Sequence, residues 1–85
     1  MTREEIRKGL LEIFQDTQPD INFSNIDDTV PLADQFGFDS MDFLDILMGV
    51  KIKLNFDVPE EDTKNLKTME SSLNYLEPIL KDFKP

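Results

Sequence analysis

The sequence contains no cysteine, no histidine and no tryptophan. Without cysteine, the chain can form neither a disulfide nor a thiolate site. Without histidine, it lacks the side chain that most often transfers protons near neutral pH, and a common ligand of zinc and haem iron. We therefore expect no catalytic residues, no metal site and no enzyme, and any thiol chemistry requires a thiol from elsewhere.

Positive charge is scarce: nine lysines and arginines stand against 18 acids, for a net charge of −9. Such a surface repels the phosphates of nucleic acids and the headgroups of anionic membranes, so neither is an expected partner. It favours basic protein partners, mainly by accelerating their encounter with the chain. The plainer interpretation, that acidity only keeps the domain soluble, fits the composition equally well.

Long apolar runs are also absent. No stretch approaches the roughly 20 residues that span a membrane, and the first five residues lack the apolar core of a signal peptide. A cytoplasmic monomer is the expectation. The length suits one domain over residues 1–85, with residues 81–85 expected to be a frayed tail.

The first half of the chain combines a helix with a long loop. Thr2, followed three residues later by Glu5, predicts a capping box and a helix over about residues 3–16. Its apolar residues have helical spacing: Ile6, Leu10, Ile13 and Phe14. Residues 18–39 are loop-like, with a short helical turn expected around residues 31–34, where Pro31 takes the first position.

The next helix is predicted over about residues 40–54 and carries two apolar stripes on a helical wheel. One stripe comprises Phe43, Ile46, Leu47, Val50 and Leu54, and the other comprises Met41, Leu44, Met48 and Ile52, with Asp45 beside it. A single stripe suffices for a core. The second indicates either a helix buried on both sides or a surface for a partner, to which methionines supply adaptable contacts.

Two further helices complete an all-α prediction. Pro59 and the acids after it predict a short helix near residues 60–64, and Thr68 caps a last helix over residues 69–76 that Pro78 should stop or kink. The predicted core comprises Leu10, Phe14, Phe43, Leu47, Val50, Leu54, Leu73 and Leu76.

Ser40 is the candidate site. An Asp-Ser pair at a helix start is ordinarily a cap, but here it ends a long loop and opens the helix with two apolar stripes. A serine in this place is exposed and held on a rigid element. The free N–H groups and the positive dipole end of the helix favour a phosphate on its oxygen.

The segment Gly37-Phe38-Asp39-Ser40-Met41 resembles the Gly-x-Asp-Ser-Leu/Met attachment motif of acyl carrier proteins. The likeness covers most of the chain, since residues 39–76 align by eye without a gap and include Phe56-x-Val58-Pro59, Thr68 and Tyr75-Leu76. It implies a four-helix bundle with a long first loop and a short third helix. It also implies 4'-phosphopantetheine attached covalently to Ser40 between Asp39 and Met41, with acyl groups carried as thioesters on that arm.

The resemblance also implies partners. These are a phosphopantetheinyl transferase and the acyl-loading and acyl-processing enzymes of fatty acid or polyketide biosynthesis, which would present basic patches. The residues expected to meet them are Met41, Asp42, Leu44, Asp45, Met48 and Ile52.

Several residues depart from the family pattern. Gln35 stands where an acid is frequent, Phe36 replaces a leucine, and the bulky Phe38 lies where a small residue is common. Lys51-Ile52-Lys53 occupies a stretch that is typically acidic in housekeeping carriers, which favours a specialised carrier. Two alternatives stay open: a peptidyl or aminoacyl carrier domain, and a non-carrier interaction module in which Ser40 is merely a cap.

Overall fold

The computed structural model describes residues 1–83 and is built of helices. In chain order they are α1 (Arg3–Thr17), α2 (Leu32–Phe36), α3 (Ser40–Lys53), a 3-10 helix (Glu60–Leu66) and α4 (Met69–Ile79). No strand occurs within residues 1–83, so the all-α prediction is confirmed. Of the expected frayed tail, residues 84 and 85 lie outside the described residues, while Phe83 packs, partly buried, against the core.

The three long helices start where the capping residues predict. Each begins with a capping box, formed by Thr2 with Glu5, by Asp39 with Asp42 and by Thr68 with Ser71. At α3 the cap is Asp39, whose carboxylate Oδ1 accepts a hydrogen bond from the Asp42 N–H at 2.9 Å. Ser40 is therefore the first residue of α3 and its hydroxyl is not the cap.

Two elements differ from their predicted form. The helix predicted to end at Leu76 continues through Pro78 to Ile79. Proline is tolerated there because it removes only one hydrogen bond from the last turn, while the Leu80 N–H still donates to the Leu76 carbonyl at 2.8 Å. The short acidic helix extends to Leu66 and is a 3-10 helix, a form common in short connecting segments.

The helical turn predicted inside the long loop is present as α2, with Pro31 immediately before its first residue. It ends at Gly37, which adopts the left-handed conformation (φ 70°) that glycine accepts without steric cost. Only Phe38 and Asp39 then separate Gly37 from α3. The reversal at Gly37 thus brings the chain directly to the Asp39 cap and to Ser40.

The core forms where α1 packs against α3 and α4, with the 3-10 helix on α4. The prediction is confirmed for six of its residues, which are buried: Leu10, Phe14, Val50, Leu54, Leu73 and Leu76. It is wrong for Phe43 and Leu47, which are only partly buried. The inward stripe of α3 is Asp42, Ile46 and Val50, so Phe43 and Leu47, one residue further round the helix, lie at its flank.

The second apolar stripe of α3 faces outward, as predicted for a partner surface. The exposed fractions are 66% for Met41, 58% for Leu44, 56% for Met48 and 73% for Ile52. These values rule out, within residues 1–83, a helix buried on both sides. We call these four residues the outer stripe.

Helices α1 and α3 pack tightly against each other at Gly49. A Cβ atom at this position would lie 2.6 Å from Ile13 Cγ2 and 3.1 Å from Ile13 Cγ1. Alanine favours a helix interior by up to about 1 kcal/mol over glycine, but overpacking typically costs about 1–3 kcal/mol. Because Ile13 is branched at Cβ and stiff, we expect Gly49→Ala to lower the free energy of unfolding by about 1–2 kcal/mol, measured by urea denaturation.

Gly9→Ala is the matched control, since Gly9 also lies inside a helix. A Cβ atom there would meet only Leu54 Cδ2, at 3.1 Å, and this methyl group ends a flexible side chain. We expect Gly9→Ala to leave stability unchanged or to raise it by up to about 1 kcal/mol. Equal stabilities of the two variants would contradict a tight contact between α1 and α3 at Gly49.

Candidate functional site

Ser40 is exposed on the first turn of α3. Its hydroxyl makes no hydrogen bond to any other residue in the described part of the chain, because the capping bonds are made by Asp39 and Asp42. The N–H groups at the start of the helix and the positive end of its dipole favour a negatively charged group on this oxygen. The Ser40 oxygen is thus exposed to solvent at the positive end of α3.

The segment before Ser40 rests on five interlocking rings, which we call the aromatic cluster: Phe14, Phe23, Phe36, Phe38 and Phe43. Phe38 lies at its centre, with ring centroids 5.8 Å from Phe14, 6.1 Å from Phe23, 5.8 Å from Phe36 and 6.2 Å from Phe43. Its side chain is only 5% exposed. The bulky residue beside the Asp39-Ser40 pair is therefore a core residue that anchors the loop, a role that was not predicted from the sequence.

Asp42 corrects one expectation about the partner surface. Predicted among the acids that meet partners, it is only 9% exposed. Its Oδ1 accepts a hydrogen bond from Gln18 Nε2 at 2.8 Å, and its Oδ2 accepts one from the Asp39 N–H at 3.0 Å. Asp42 thus joins the end of α1 to the start of α3. Asp45, the other predicted acid, is exposed beside the outer stripe.

Gln35, which replaces a frequent acid of the family pattern, holds the long loop together. Its Nε2 donates to the carbonyl oxygens of Asp27 at 2.7 Å and Val30 at 2.9 Å, and its Oε1 accepts from the Asp27 N–H at 3.0 Å. An ionised carboxylate cannot donate, so an acid at this position would lose two of the three bonds. This departure has a structural reason within the loop.

The two lysines that flank Ile52 are engaged in ion pairs. Lys53 Nζ lies 3.3 Å from Asp16 Oδ2 and 3.6 Å from Glu12 Oε2, so it links α3 to α1. Lys51 Nζ lies 3.7 Å from Asp57 Oδ2, and both side chains of this pair are largely exposed. Exposed pairs contribute little stability, about 0–1 kcal/mol. Lys53 therefore makes two such contacts to α1, whereas Lys51 makes one, to the segment after α3.

A groove of about 700 Å³ opens next to Ser40, over α3 and between α2 and the 3-10 helix. From α3 it is lined by Ser40, Phe43, Leu44 and Leu47. The partial burial of Phe43 and Leu47 follows from this opening. Both residues were predicted to lie in a closed core, because no local sequence pattern distinguishes the floor of a groove from a core.

Hydrogen bonds to α4 and to α2 hold the 3-10 segment that forms one side of the groove. The Tyr75 hydroxyl donates to Asp62 Oδ2 at 2.7 Å, and the Leu32 N–H donates to the Lys67 carbonyl at 2.9 Å. Burial, followed by the hydrogen bond to Asp62, raises the pKa of Tyr75 to about 12. The phenol therefore remains protonated throughout the neutral range, so it continues to donate its hydrogen bond to Asp62. This bond keeps the 3-10 helix in place beside the groove.

No helix of residues 1–83 is both long and apolar enough to cross a bilayer. No three acidic, cysteine or histidine side chains in the same range come together as the ligands of a metal ion would.

Comparison with known proteins finds similarity over almost the whole chain. No protein-family model matches it. Curated relatives named acyl carrier protein are 25% identical over 76 residues in Chloroherpeton thalassium and in Micrococcus luteus, and 26% identical over 76 residues in Acidothermus cellulolyticus. Each alignment covers 89% of this chain and, in the same order, 94%, 93% and 89% of the relative.

Proposed function

We propose that the chain is a member of the acyl carrier protein family, a carrier rather than an enzyme, and that it carries acyl groups as thioesters on 4'-phosphopantetheine attached to Ser40. The observation that carries the proposal is the Ser40 hydroxyl, exposed and without a hydrogen-bond partner in the described chain, at the start of α3. The arm, when bound, supplies the thiol that a chain without cysteine lacks.

Attachment requires Ser40 only as a nucleophile. Its Oγ forms a bond to the pantetheine-bearing phosphorus of coenzyme A, the pyrophosphate P–O bond breaks, and adenosine 3',5'-bisphosphate leaves. The hydroxyl proton passes to a base of the phosphopantetheinyl transferase, since no described side chain of this protein hydrogen-bonds the Ser40 oxygen. Asp39 keeps the first turn of α3 formed, and the aromatic cluster fixes the segment before it.

The groove beside Ser40 is proposed to receive the acyl chain. Its floor is apolar and incompletely covered, because Phe43 and Leu47 are only partly buried there. Covering such surface removes apolar area from water, and this burial is favourable by about 25 cal/mol per Å². The arm starts from Ser40 at the edge of this floor, so an acyl group on its thiol reaches the floor when the arm folds back over the groove.

Partner enzymes are proposed to bind the outer stripe together with Asp45, through basic patches that complement the acidic surface. The four apolar residues of the stripe are exposed on the helix that begins with Ser40, so an enzyme covering them also reaches the arm. We propose a monomeric, cytoplasmic carrier for a specialised pathway of fatty acid or polyketide type, with Lys51 and Ile52 marking the specialisation.

Replacing Ile52 tests this surface. Ile52→Glu should slow acyl loading by the enzyme that serves this carrier by roughly tenfold, because interface anchors typically contribute more than 1 kcal/mol and a charge there must be desolvated. Ile79→Glu is the control, since Ile79 is an exposed isoleucine on α4, outside the stripe. Lys53 is left unchanged, because a glutamate there would face Glu12 and Asp16 and destabilise the fold. Equal loading of both variants would contradict the assignment.

The carrier function itself is tested by intact-mass measurement after incubation with coenzyme A, magnesium and a broad-specificity transferase. The expected result is a gain of one phosphopantetheine on the purified chain. No gain, under conditions in which the transferase modifies a known carrier protein, would overturn the proposal and favour an interaction module.

A further inference from the structure

We propose that the acyl group carried by this protein has an apolar body and a carboxylate at its far end, and that Lys64 and Lys67 bind this carboxylate in the groove. The inference rests on the proposed carrier function and names the substrate class. It is carried by two observations: an apolar groove floor next to Ser40, and two lysines on the same groove whose ammonium groups have no ion-pair partner among residues 1–83.

The described chain has both paired and unpaired bases, and two of the unpaired ones line the groove. Four basic residues of the described chain form ion pairs with carboxylates on other segments. The pairs are Arg3 with Glu77, Arg7 with Asp28, Lys51 with Asp57, and Lys53 with Glu12 and Asp16. Lys64 and Lys67 line the groove and, within residues 1–83, have no carboxylate oxygen within 4.0 Å of their Nζ atoms. Lys8 and Lys81 also have no ion pair within residues 1–83, but neither of them lines the groove.

The spacing of the two lysines suits a shared ligand. Lys64 lies in the 3-10 helix and Lys67 immediately follows it. Residues three apart eclipse one another in this type of helix, so both side chains leave the same edge. The Leu32 N–H bond to the Lys67 carbonyl and the Tyr75 bond to Asp62 hold this edge against the rest of the fold. The lysines therefore extend from a fixed backbone.

Two acids also line the groove, Asp34 and Glu60. Each lies in the first turn of its helix, where the helix dipole favours a negative charge. Neither is within ion-pairing distance of Lys64 or Lys67 in the described structure, so the ammonium groups remain available. The ordinary role of lysines at a helix C-terminus, complementing its dipole, accounts for their charge but not for their position on the groove that holds Ser40.

A carboxylate at the far end of the acyl group determines whether the two lysines contribute to its binding. A carboxylate that approaches a partly apolar surface loses hydration, which disfavours binding unless a cation compensates for the loss. Lys64 and Lys67 supply that compensation through charge-assisted hydrogen bonds. A purely aliphatic chain gains the apolar contact with Phe43 and Leu47 but makes no use of the lysines.

The test compares two six-carbon cargoes that differ only at the far end. The transferase loads Ser40 with the arm of hexanoyl-coenzyme A or of adipoyl-coenzyme A, and the melting temperature of each product is measured at low and high salt. We expect the adipoyl form to melt about 2–5 °C above the hexanoyl form at low salt, with the difference reduced at high salt. The double variant Lys64→Gln/Lys67→Gln should remove this difference. The control Lys8→Gln/Lys81→Gln, which changes net charge equally at exposed lysines outside the groove, should preserve it.

A hexanoyl form as stable as the adipoyl form in the unaltered protein would overturn the inference. So would an adipoyl advantage that persists in the Lys64→Gln/Lys67→Gln variant, because its source would then lie elsewhere. Failure of Ser40 to accept either acyl arm would instead overturn the carrier function on which the inference rests.

Discussion

Replacing Ser40 with alanine should abolish the gain of phosphopantetheine completely while leaving the free energy of unfolding within about 0.5 kcal/mol of the unaltered protein. The loss is complete because alanine has no oxygen to bond to phosphorus. The stability is kept because the cap of α3 is Asp39 and not Ser40. Alanine is also at least as favourable as serine inside a helix. Intact mass and urea denaturation measure the two effects separately.

Asp39→Ala provides the opposite control at the neighbouring residue. It removes the side chain that accepts the Asp42 N–H, so it should cost about 0.5–2 kcal/mol of stability while leaving the Ser40 oxygen in place. Ser71 and Ser72 are poor substitutes for Ser40, since Ser71 Oγ donates to the Asn65 carbonyl at 2.7 Å and Ser72 is buried. A mass gain in the Ser40→Ala variant would show that another side chain is the attachment site.

The features that were predictable from the sequence have local causes. Thr2 and Thr68 mark helix starts because a capping side chain bonds to backbone only a few residues away. The outward orientation of Met41 and Met48 follows from their separation from the apolar positions on the opposite side of one helix. Ser40 could be singled out because the residues that expose it, from Gly37 to Asp39, are its neighbours in the chain.

The features that were missed depend on residues far apart in sequence. Asp42 turns inward because Gln18, 24 residues earlier, donates to its carboxylate. Phe38 is buried because the loop returns to Phe14 and closes the aromatic cluster. The helical wheel gives the angle between side chains on α3, but it cannot show that the space beside Leu47 is left open by α2 and the 3-10 helix.

Ile46 and Leu47 are adjacent on α3, and their alanine variants should differ sharply. Ile46 is 1% exposed in the core, so Ile46→Ala should lower the free energy of unfolding by about 2–5 kcal/mol through lost burial and a residual cavity. A domain of this size has roughly 4–13 kcal/mol in total, at 0.05–0.15 kcal/mol per residue. The Ile46 variant should therefore lose a large fraction of the total stability.

Leu47→Ala should cost only about 1 kcal/mol, because Leu47 is partly exposed on the groove floor and its removal widens an open groove rather than creating a closed cavity. Urea denaturation of both variants at one pH and salt concentration measures the difference, and equal slopes against urea show that the same amount of surface unfolds. The same Leu47 variant should reduce the stabilisation that an attached hexanoyl group gives, since the floor it contacts is smaller. If Leu47→Ala costs as much as Ile46→Ala, the groove is closed in solution, Leu47 belongs to the core as its place on the helical wheel predicts, and the acyl chain must lie elsewhere.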